Sequence, residues 1–302
     1  MPDLTSLSDQ VRESLPYIGI PLALVAAVFL SLGAQFQHRG VARVEEIRGA
    51  SLGGLSVGQI ISLVQRPSWV MGTLMLGLAI VLQLTSLGFA PLIVVQPLGA
   101  IALVITAVVN ARVSRVSLNG ASIRAIAFCV LGVGLFVTVA ARTAVEPTVT
   151  DQHLITILIV LAVVLTAFGI LFAAFHRRFR AIFYIIGAGV LYGFVATLAK
   201  VVINRVIQGD FEWLTLTCIA GLLLASVFGA YFVQTAYSSG PPDLVIAGLT
   251  VVDPMVAVGI GIVVLGEASQ APMWVAPAFL IAGAIAVFGV FELAKHHPGI
   301  KR

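Results

Sequence analysis

Nine stretches of about 20 apolar residues run through the chain, and each is long enough to cross a lipid bilayer as a helix. A segment in lipid must satisfy its own backbone hydrogen bonds, which excludes isolated strands and loops. The chain therefore predicts an all-α, polytopic membrane helical bundle. The nine expected spans cover roughly residues 16–37, 68–88, 91–111, 123–141, 153–175, 181–203, 214–237, 244–266 and 274–292.

Residues 49–65 leave open a tenth span. They carry no charge, but they are rich in Gly and Ser, which favours an amphipathic or re-entrant segment over a spanning helix. The count is therefore nine, or ten if this segment also crosses.

The low charge content supports the membrane assignment. Of 302 residues, 60% are hydrophobic and only 10% are charged, which is too little polar surface for a soluble globule. The net charge of +4 does not indicate nucleic-acid binding, because the basic residues flank the apolar runs instead of clustering in one domain. The two cysteines lie inside apolar runs and predict neither a disulfide framework nor a metal cluster.

The basic residues predict the orientation of the chain. With nine spans and the N-terminus outside, thirteen Lys and Arg residues fall on the cytoplasmic side and four on the other side. A tenth span would change these counts to eleven and six. We therefore expect a multi-pass protein of the cytoplasmic membrane with its N-terminus outside and its C-terminus inside.

Two segments of the chain are similar in sequence and suggest a duplication. Residues 94–98 read Val-Val-Gln-Pro-Leu and residues 251–255 read Val-Val-Asp-Pro-Met. Gln83 also precedes Pro91 by eight residues, as Gln234 precedes Pro242. A single connecting helix between two four-helix units places the second unit upside down in the membrane relative to the first. Secondary transporters use such an inverted repeat for alternating access.

The duplication predicts the organisation of the whole chain. We expect a short tail, a first transmembrane repeat, a linker with the connecting helix, a second repeat and a basic C-terminal tail. Their bounds are 1–15, 16–141, 142–180, 181–293 and 294–302.

Asp253 is the strongest candidate for a functional residue, because a carboxylate within a span is costly unless it is paired, protonated or exposed to water. It is expected to bind a coupling ion or the substrate, although a merely buried and hydrogen-bonded acid fits the same position. Pro97 and Pro254 each remove a backbone donor, so we predict helix breaks at both.

Lys200 lies near the end of the sixth span and has two interpretations. It pairs with Asp253 or another anionic group, or its long stem reaches the headgroups. Other polar side chains of the spans either contact the substrate or join helices. For the substrate or coupling-ion site we select Asp253 and Lys200 together with Gln83, Gln96, Gln234, Tyr192 and Thr197. Glu267 is expected at the membrane interface.

Residues 88–100, from the Gly-Phe-Ala-Pro turn through Val-Val-Gln-Pro-Leu-Gly-Ala, resemble the hairpin of the drug/metabolite transporter superfamily, especially its NIPA-like branch. Gly266 and Glu267 are similar to the end of an EamA-type repeat. The resemblance implies a carrier fold with a central cavity between the repeats. NIPA-like members are associated with Mg²⁺ transport.

The sequence thus predicts a gradient-driven transporter of a small metabolite or amphipathic solute, since enzyme and nucleotide-binding motifs are missing. Asp253 is the single acid well inside the second-repeat spans, which suits such a solute better than Mg²⁺. A magnesium transporter, a flippase for a lipid-linked envelope precursor and a non-transporting membrane scaffold remain alternatives. We expect no cofactor and no nucleic acid. The expected partners are the substrate, membrane lipids and a second copy of the chain as a homodimer.

Overall fold

The fold is a bundle of α-helices in a computed structural model that describes residues 4–48, 63–113, 119–175, 181–239 and 242–295. The helices are α1 (Leu4–Arg48), α2 (Pro67–Phe89), α3 (Leu92–Leu98), α4 (Ala100–Val113), α5 (Gly120–Thr143), α6 (Asp151–Phe175), α7 (Ala181–Gln208), α8 (Trp213–Ser239), α9 (Pro242–Val263) and α10 (Val275–Lys295). Within these ranges there is no strand.

Nine segments of the described chain are long and apolar enough to cross a membrane, which confirms the predicted polytopic bundle. They are Ile18–Val41, Pro67–Phe89, Leu92–Arg112, Gly120–Thr143, Asp151–Leu171, Ala181–Gln208, Trp213–Ser239, Leu244–Val263 and Val275–Lys295. Of the segment 49–65, residues 49–62 lie outside the described residues, so the tenth span stays untested.

Local sequence signals set the helix ends. Pro67 begins α2, where its missing amide proton costs nothing, and the chain leaves the helix before Pro91. Asn119 caps α5 by accepting a hydrogen bond from the Ser122 amide at 2.7 Å. Gly209, with φ of 80°, ends α7 in a left-handed conformation that glycine tolerates.

The two prolines predicted to break helices behave differently. The third span is interrupted at Gly99, two residues after Pro97, and so divides into α3 and α4. The predicted break at Pro254 is wrong, because α9 continues through this residue to Val263. Proline costs α9 one hydrogen bond there, but the helix is held on both sides by its neighbours.

Equivalent helix pairs form in the two halves. Helix α1 packs on α2 and α7 packs on α8, while α9 packs on α7 as α4 packs on α1. The halves meet where α5 packs on α10 and α3 packs on α9. This pattern agrees with the predicted repeat, whose domain bounds and inversion stay predictions. Large apolar side chains such as Leu74, Leu131 and Leu280 are exposed on the outside, as lipid-facing residues are.

Two glycines allow α5 and α10 to touch along their backbones. A Cβ atom on Gly132 would lie 2.3 Å from the Ala286 amide nitrogen, and one on Gly289 would lie 2.3 Å from that of Cys129. Lipid tails are as apolar as the helices, so the hydrophobic effect does not drive helix association in a membrane. Close packing of this kind drives it instead. This contact therefore joins the two halves of the bundle.

Replacing Gly289 by Ile is expected to separate α5 from α10 and to lower the thermal unfolding temperature of the purified protein in detergent. The new side chain meets backbone atoms of Cys129, which cannot move aside without shifting a helix. Gly134→Ile is the matched control, because nothing lies within 4 Å of a Cβ atom at Gly134. Equal unfolding temperatures for both variants would contradict this packing.

Candidate functional site

A cavity of about 570 Å³ lies between helices of both halves of the chain. Its walls come from α1 and α2, from the α3 to α4 interruption, and from α7 and α9. The lining residues are mostly small or apolar. They are Ala26, Ala27, Leu30, Ala79, Ile80, Gln83, Leu84, Leu87, Gln96, Gly99, Tyr192, Val195, Ala196, Ala199, Leu249, Thr250, Asp253 and Pro254.

The cavity brings together four of the residues selected from the sequence. Gln83 and Gln96 reach it from the first half, and Tyr192 and Asp253 reach it from the second half. Within the described chain, neither glutamine amide hydrogen-bonds another side chain, so both are available to a solute. Four residues that were selected because they are polar within spans therefore line one cavity, two from each half of the chain.

Close packing of α7 on α9 places Tyr192 and Asp253 on one side of the cavity. Gly189 faces Val252, and a Cβ atom at Gly189 would lie 2.6 Å from the Val252 Cβ atom. One turn further on, Gly193 packs against Val256 in the same way. Two glycines four residues apart are a motif for helix contact in membranes.

Asp253 has no hydrogen-bond partner for its buried Oδ1 atom in the described residues. Of the described residues that line the cavity, it is also the single charged one. Pro254 next to it has no amide proton, so the carbonyl of Thr250 lacks its usual helical donor. This wall of the cavity therefore carries one buried carboxylate oxygen without a partner in the described residues, beside a carbonyl that has lost its helical donor.

Lys200 does not pair with Asp253, which corrects the prediction from sequence. Its Nζ atom donates to the carbonyls of Leu87 at 3.2 Å and Ala90 at 2.7 Å, and to the Glu146 carboxylate at 2.6 Å. Glu267 lies 3.9 Å away, and the Lys200 side chain is only 2% exposed. Lys200 is thus a buried ion-pair centre and does not extend to the lipid headgroups.

Glu267 is buried and not interfacial as predicted, since it is 1% exposed. Its two carboxylate oxygens accept hydrogen bonds from the amides of Leu92 at 2.7 Å and Ile93 at 2.9 Å, where α3 begins. Burial raises the pKa of the Glu267 carboxyl above its ordinary value, while Lys200 and the two amides oppose that rise. Glu267 therefore fixes the start of α3.

The turn before Glu267 explains how it reaches that position. Gly266 has φ of 71°, a left-handed conformation that turns the chain back after α9. Gly261 leaves room for the side chain, because a Cβ atom there would lie 2.8 Å from the Glu267 Oε2 atom. The Glu267 carbonyl also accepts from the Val145 amide at 2.8 Å, which joins two loops.

These contacts close one end of the cavity, which we call the Lys200 end. It comprises the turn 89–91 and the segments 144–150 and 264–274 around Lys200. Leu87 and Ala199, next to the network, also line the cavity. Arg205 strengthens this end through ion pairs with Asp151 at 2.6 Å and Asp210 at 3.3 Å.

Besides Lys200, two selected residues are not among those that line the cavity. Thr197 is completely buried, and its hydroxyl donates to the Gly193 carbonyl of its own helix at 2.8 Å. Gln234 is exposed on α8 and is not among the lining residues. The structure therefore does not place either of them against a solute in this cavity.

Sequence reasoning missed Glu146 as a partner of Lys200 and misplaced Glu267. The predicted topology contained one signal for the ion pairs. It places Lys200 and Arg205 near the outer side of the membrane, together with the acids Glu146, Asp151 and Glu267. Acids on the same side of the membrane as Lys200 are better candidates for an ion pair with it than an acid in the middle of another span.

The sequence match decides the family. The family model described as Magnesium transporter NIPA matches residues 15–205, more than half of the chain. The chain belongs to this family. It is thus a multi-pass membrane protein of a transporter family, and the resemblance carried by residues 88–100 is confirmed. The match includes Gln83, Gln96 and Lys200 and ends before Asp253.

A protein from another organism is similar over almost the whole chain. An uncharacterized protein of Corynebacterium glutamicum is 24% identical over 279 residues, which are 92% of this chain and 95% of that protein. No solved structure matches the chain significantly.

Lys200→Met is expected to destabilise the folded protein by about 3–5 kcal/mol, because it leaves the buried Glu267 carboxylate without its cation. Adding Glu267→Gln to this variant recovers part of the loss, since the unpaired charge is then removed. The measurement is denaturant-dependent unfolding of the purified protein in detergent.

The matched control for this prediction is Lys295→Met, which changes an exposed lysine at the end of α10. It should alter stability by no more than about 0.5 kcal/mol. If both lysine variants unfold at the same denaturant concentration, the Lys200 network does not stabilise the bundle.

Proposed function

We propose that the protein is a gradient-driven secondary transporter that carries a small solute through the central cavity by alternating access. The observation that carries this proposal is the position of the cavity. It lies between helices of both halves, and an ion-pair network closes one of its ends. Family membership supports transport as the general function.

The Lys200 end provides the element that must open. In the predicted orientation it faces the outside of the cytoplasmic membrane, so the described conformation is closed there. Glu267 is fixed to α3 and is 1% exposed, whereas the Glu146 side chain is 29% exposed. The Lys200 to Glu146 contact is therefore the part of the network that separates most easily when the two halves rock.

A gradient is the expected energy source. The sequence has no phosphate-binding Gly-Lys-Ser or Gly-Lys-Thr motif, and its loops are too short to fold an ATPase domain. Asp253 supplies a charge within the cavity that responds to a proton or another cation, as acids in membrane spans commonly do. We assign coupling and substrate recognition to this residue together with Gln83 and Gln96.

Thiol labelling from each side of the membrane tests alternating access. Thr250→Cys places a reporter in the cavity wall after the buried Cys129 and Cys218 are replaced by alanine. In oriented proteoliposomes, a membrane-impermeant maleimide should react with it mainly from the side opposite the Lys200 end. Glu146→Gln weakens the closed end and should add labelling from the Lys200 side.

Val227→Cys is the control, because this residue is 67% exposed on the outer surface of α8 and faces lipid. Its labelling should stay low from both sides in either background. A cavity thiol that never reacts from the Lys200 side, even with Glu146→Gln and with solute gradients imposed, would contradict alternating access.

Mg²⁺ transport is the second candidate, and the family match is the observation that favours it. Mg²⁺ keeps several of its waters and is bound through one or two carboxylates, so Asp253 with the two glutamine oxygens offers a partial set of ligands. We expect this candidate to show Mg²⁺ entry into proteoliposomes, read by an internal Mg²⁺-sensitive dye, and Mg²⁺-dependent thermal protection. If neither effect is seen at millimolar Mg²⁺, Mg²⁺ transport is excluded.

A further inference from the structure

We infer that the cavity binds a monovalent organic cation with an apolar body, and that Asp253 recognises its charge. This inference rests on the proposed function, because it names the class of solute that the cavity carries. It is argued from the charge, the lining and the size of the cavity.

The charge of the cavity comes first. Asp253 is the single charged residue among the lining residues, and its Oδ1 atom is buried without a hydrogen-bond partner in the described chain. The sequence had offered Lys200 as its partner, but that ammonium is bound by Glu146, Glu267 and two carbonyls. A carboxylate in the membrane needs compensation, so a positive charge on the ligand is the complement.

The lining sets the rest of the ligand. Of the eighteen lining residues, thirteen are apolar, glycine or proline, and they surround a few polar groups. A mainly apolar wall with a few convergent polar groups is the usual form of a site for a small organic molecule. The volume of about 570 Å³ also lies in the usual range for such sites.

Other polar side chains line the same cavity as the charge of Asp253. Tyr192 lines the cavity from the same half of the chain as Asp253, and aromatic side chains attract organic cations. Gln83 and Gln96 contribute from the opposite half of the chain. A ligand that contacts both walls binds differently when the halves move apart, which is the requirement for coupling binding to a conformational change.

A divalent metal ion suits this cavity less well. In the described ranges no group of three or more His, Cys, Asp or Glu side chains is placed to hold a metal ion. Apolar walls also cannot hydrogen-bond the water shell that Mg²⁺ retains. One carboxylate in an apolar cavity instead matches one positive charge on an apolar molecule.

Two probe ions of nearly the same shape and opposite charge separate charge recognition from apolar partition. Tetraphenylphosphonium and tetraphenylborate are titrated against the purified full-length protein in detergent by equilibrium dialysis. We expect the phosphonium to bind saturably and the borate to bind with an affinity that is lower by about tenfold or more. Asp253→Asn should weaken phosphonium binding by about tenfold or more, while Asp253→Glu keeps most of it.

Equal binding of both probes, or phosphonium binding unchanged by Asp253→Asn, would overturn the inference. Displacement of the phosphonium by millimolar Mg²⁺, dependent on Asp253 and not on ionic strength, would also overturn it in favour of the metal ion. A thermal unfolding transition of each variant shows that it is folded. If Asp253→Asn does not fold, the test relies on Asp253→Glu and on the comparison of the two probe ions.

This experiment separates the ligand class from the transport mechanism. If the cavity thiol is labelled from both sides but the phosphonium does not bind, the ligand class fails and alternating access stands. If the phosphonium binds through Asp253 but the thiol is never reached from the Lys200 side, the transport mechanism fails and the cation site stands.

Discussion

The ammonium of Lys200, buried and surrounded by oxygen atoms, determines much of the site geometry. Because a charge in lipid needs partners, the carbonyls of Leu87 and Ala90 are held at the end of α2. Glu267 is close to the same ammonium and to the first amides of α3. One cation thereby fixes where α2 ends, where α3 begins and how one end of the cavity is closed.

The approximate positions of the nine spans and the four polar residues that line the cavity could be predicted because their signals are local. Apolar length and proline position are read within one segment, and Gln83 or Asp253 differs from its own neighbours. The Lys200 network could not be read in that way. Glu146 is 54 residues from Lys200 in sequence, and Glu267 is 175 residues from the Leu92 amide that it binds.

The repeat motif predicted the second half less well than the first. Gln83 lines the cavity, but its repeat counterpart Gln234 is exposed on α8. The third span is interrupted at Gly99, while α9 continues through Pro254. Similar residues in two copies of a motif do not occupy equivalent places when one helix is broken and the other is continuous.

The ion pairs at the Lys200 end also bear on the energy of the proposed transport cycle. The salt bridges of Lys200 and Arg205, which join described residues, lie at the same end of the bundle. If the protein works by the proposed alternating access, these ion pairs favour the orientation with that end shut, so the two orientations of the empty protein are expected to differ in free energy. A cargo can reverse this preference only by the difference between its affinities for the two orientations. A tightly bound cargo without such a difference would act as an inhibitor.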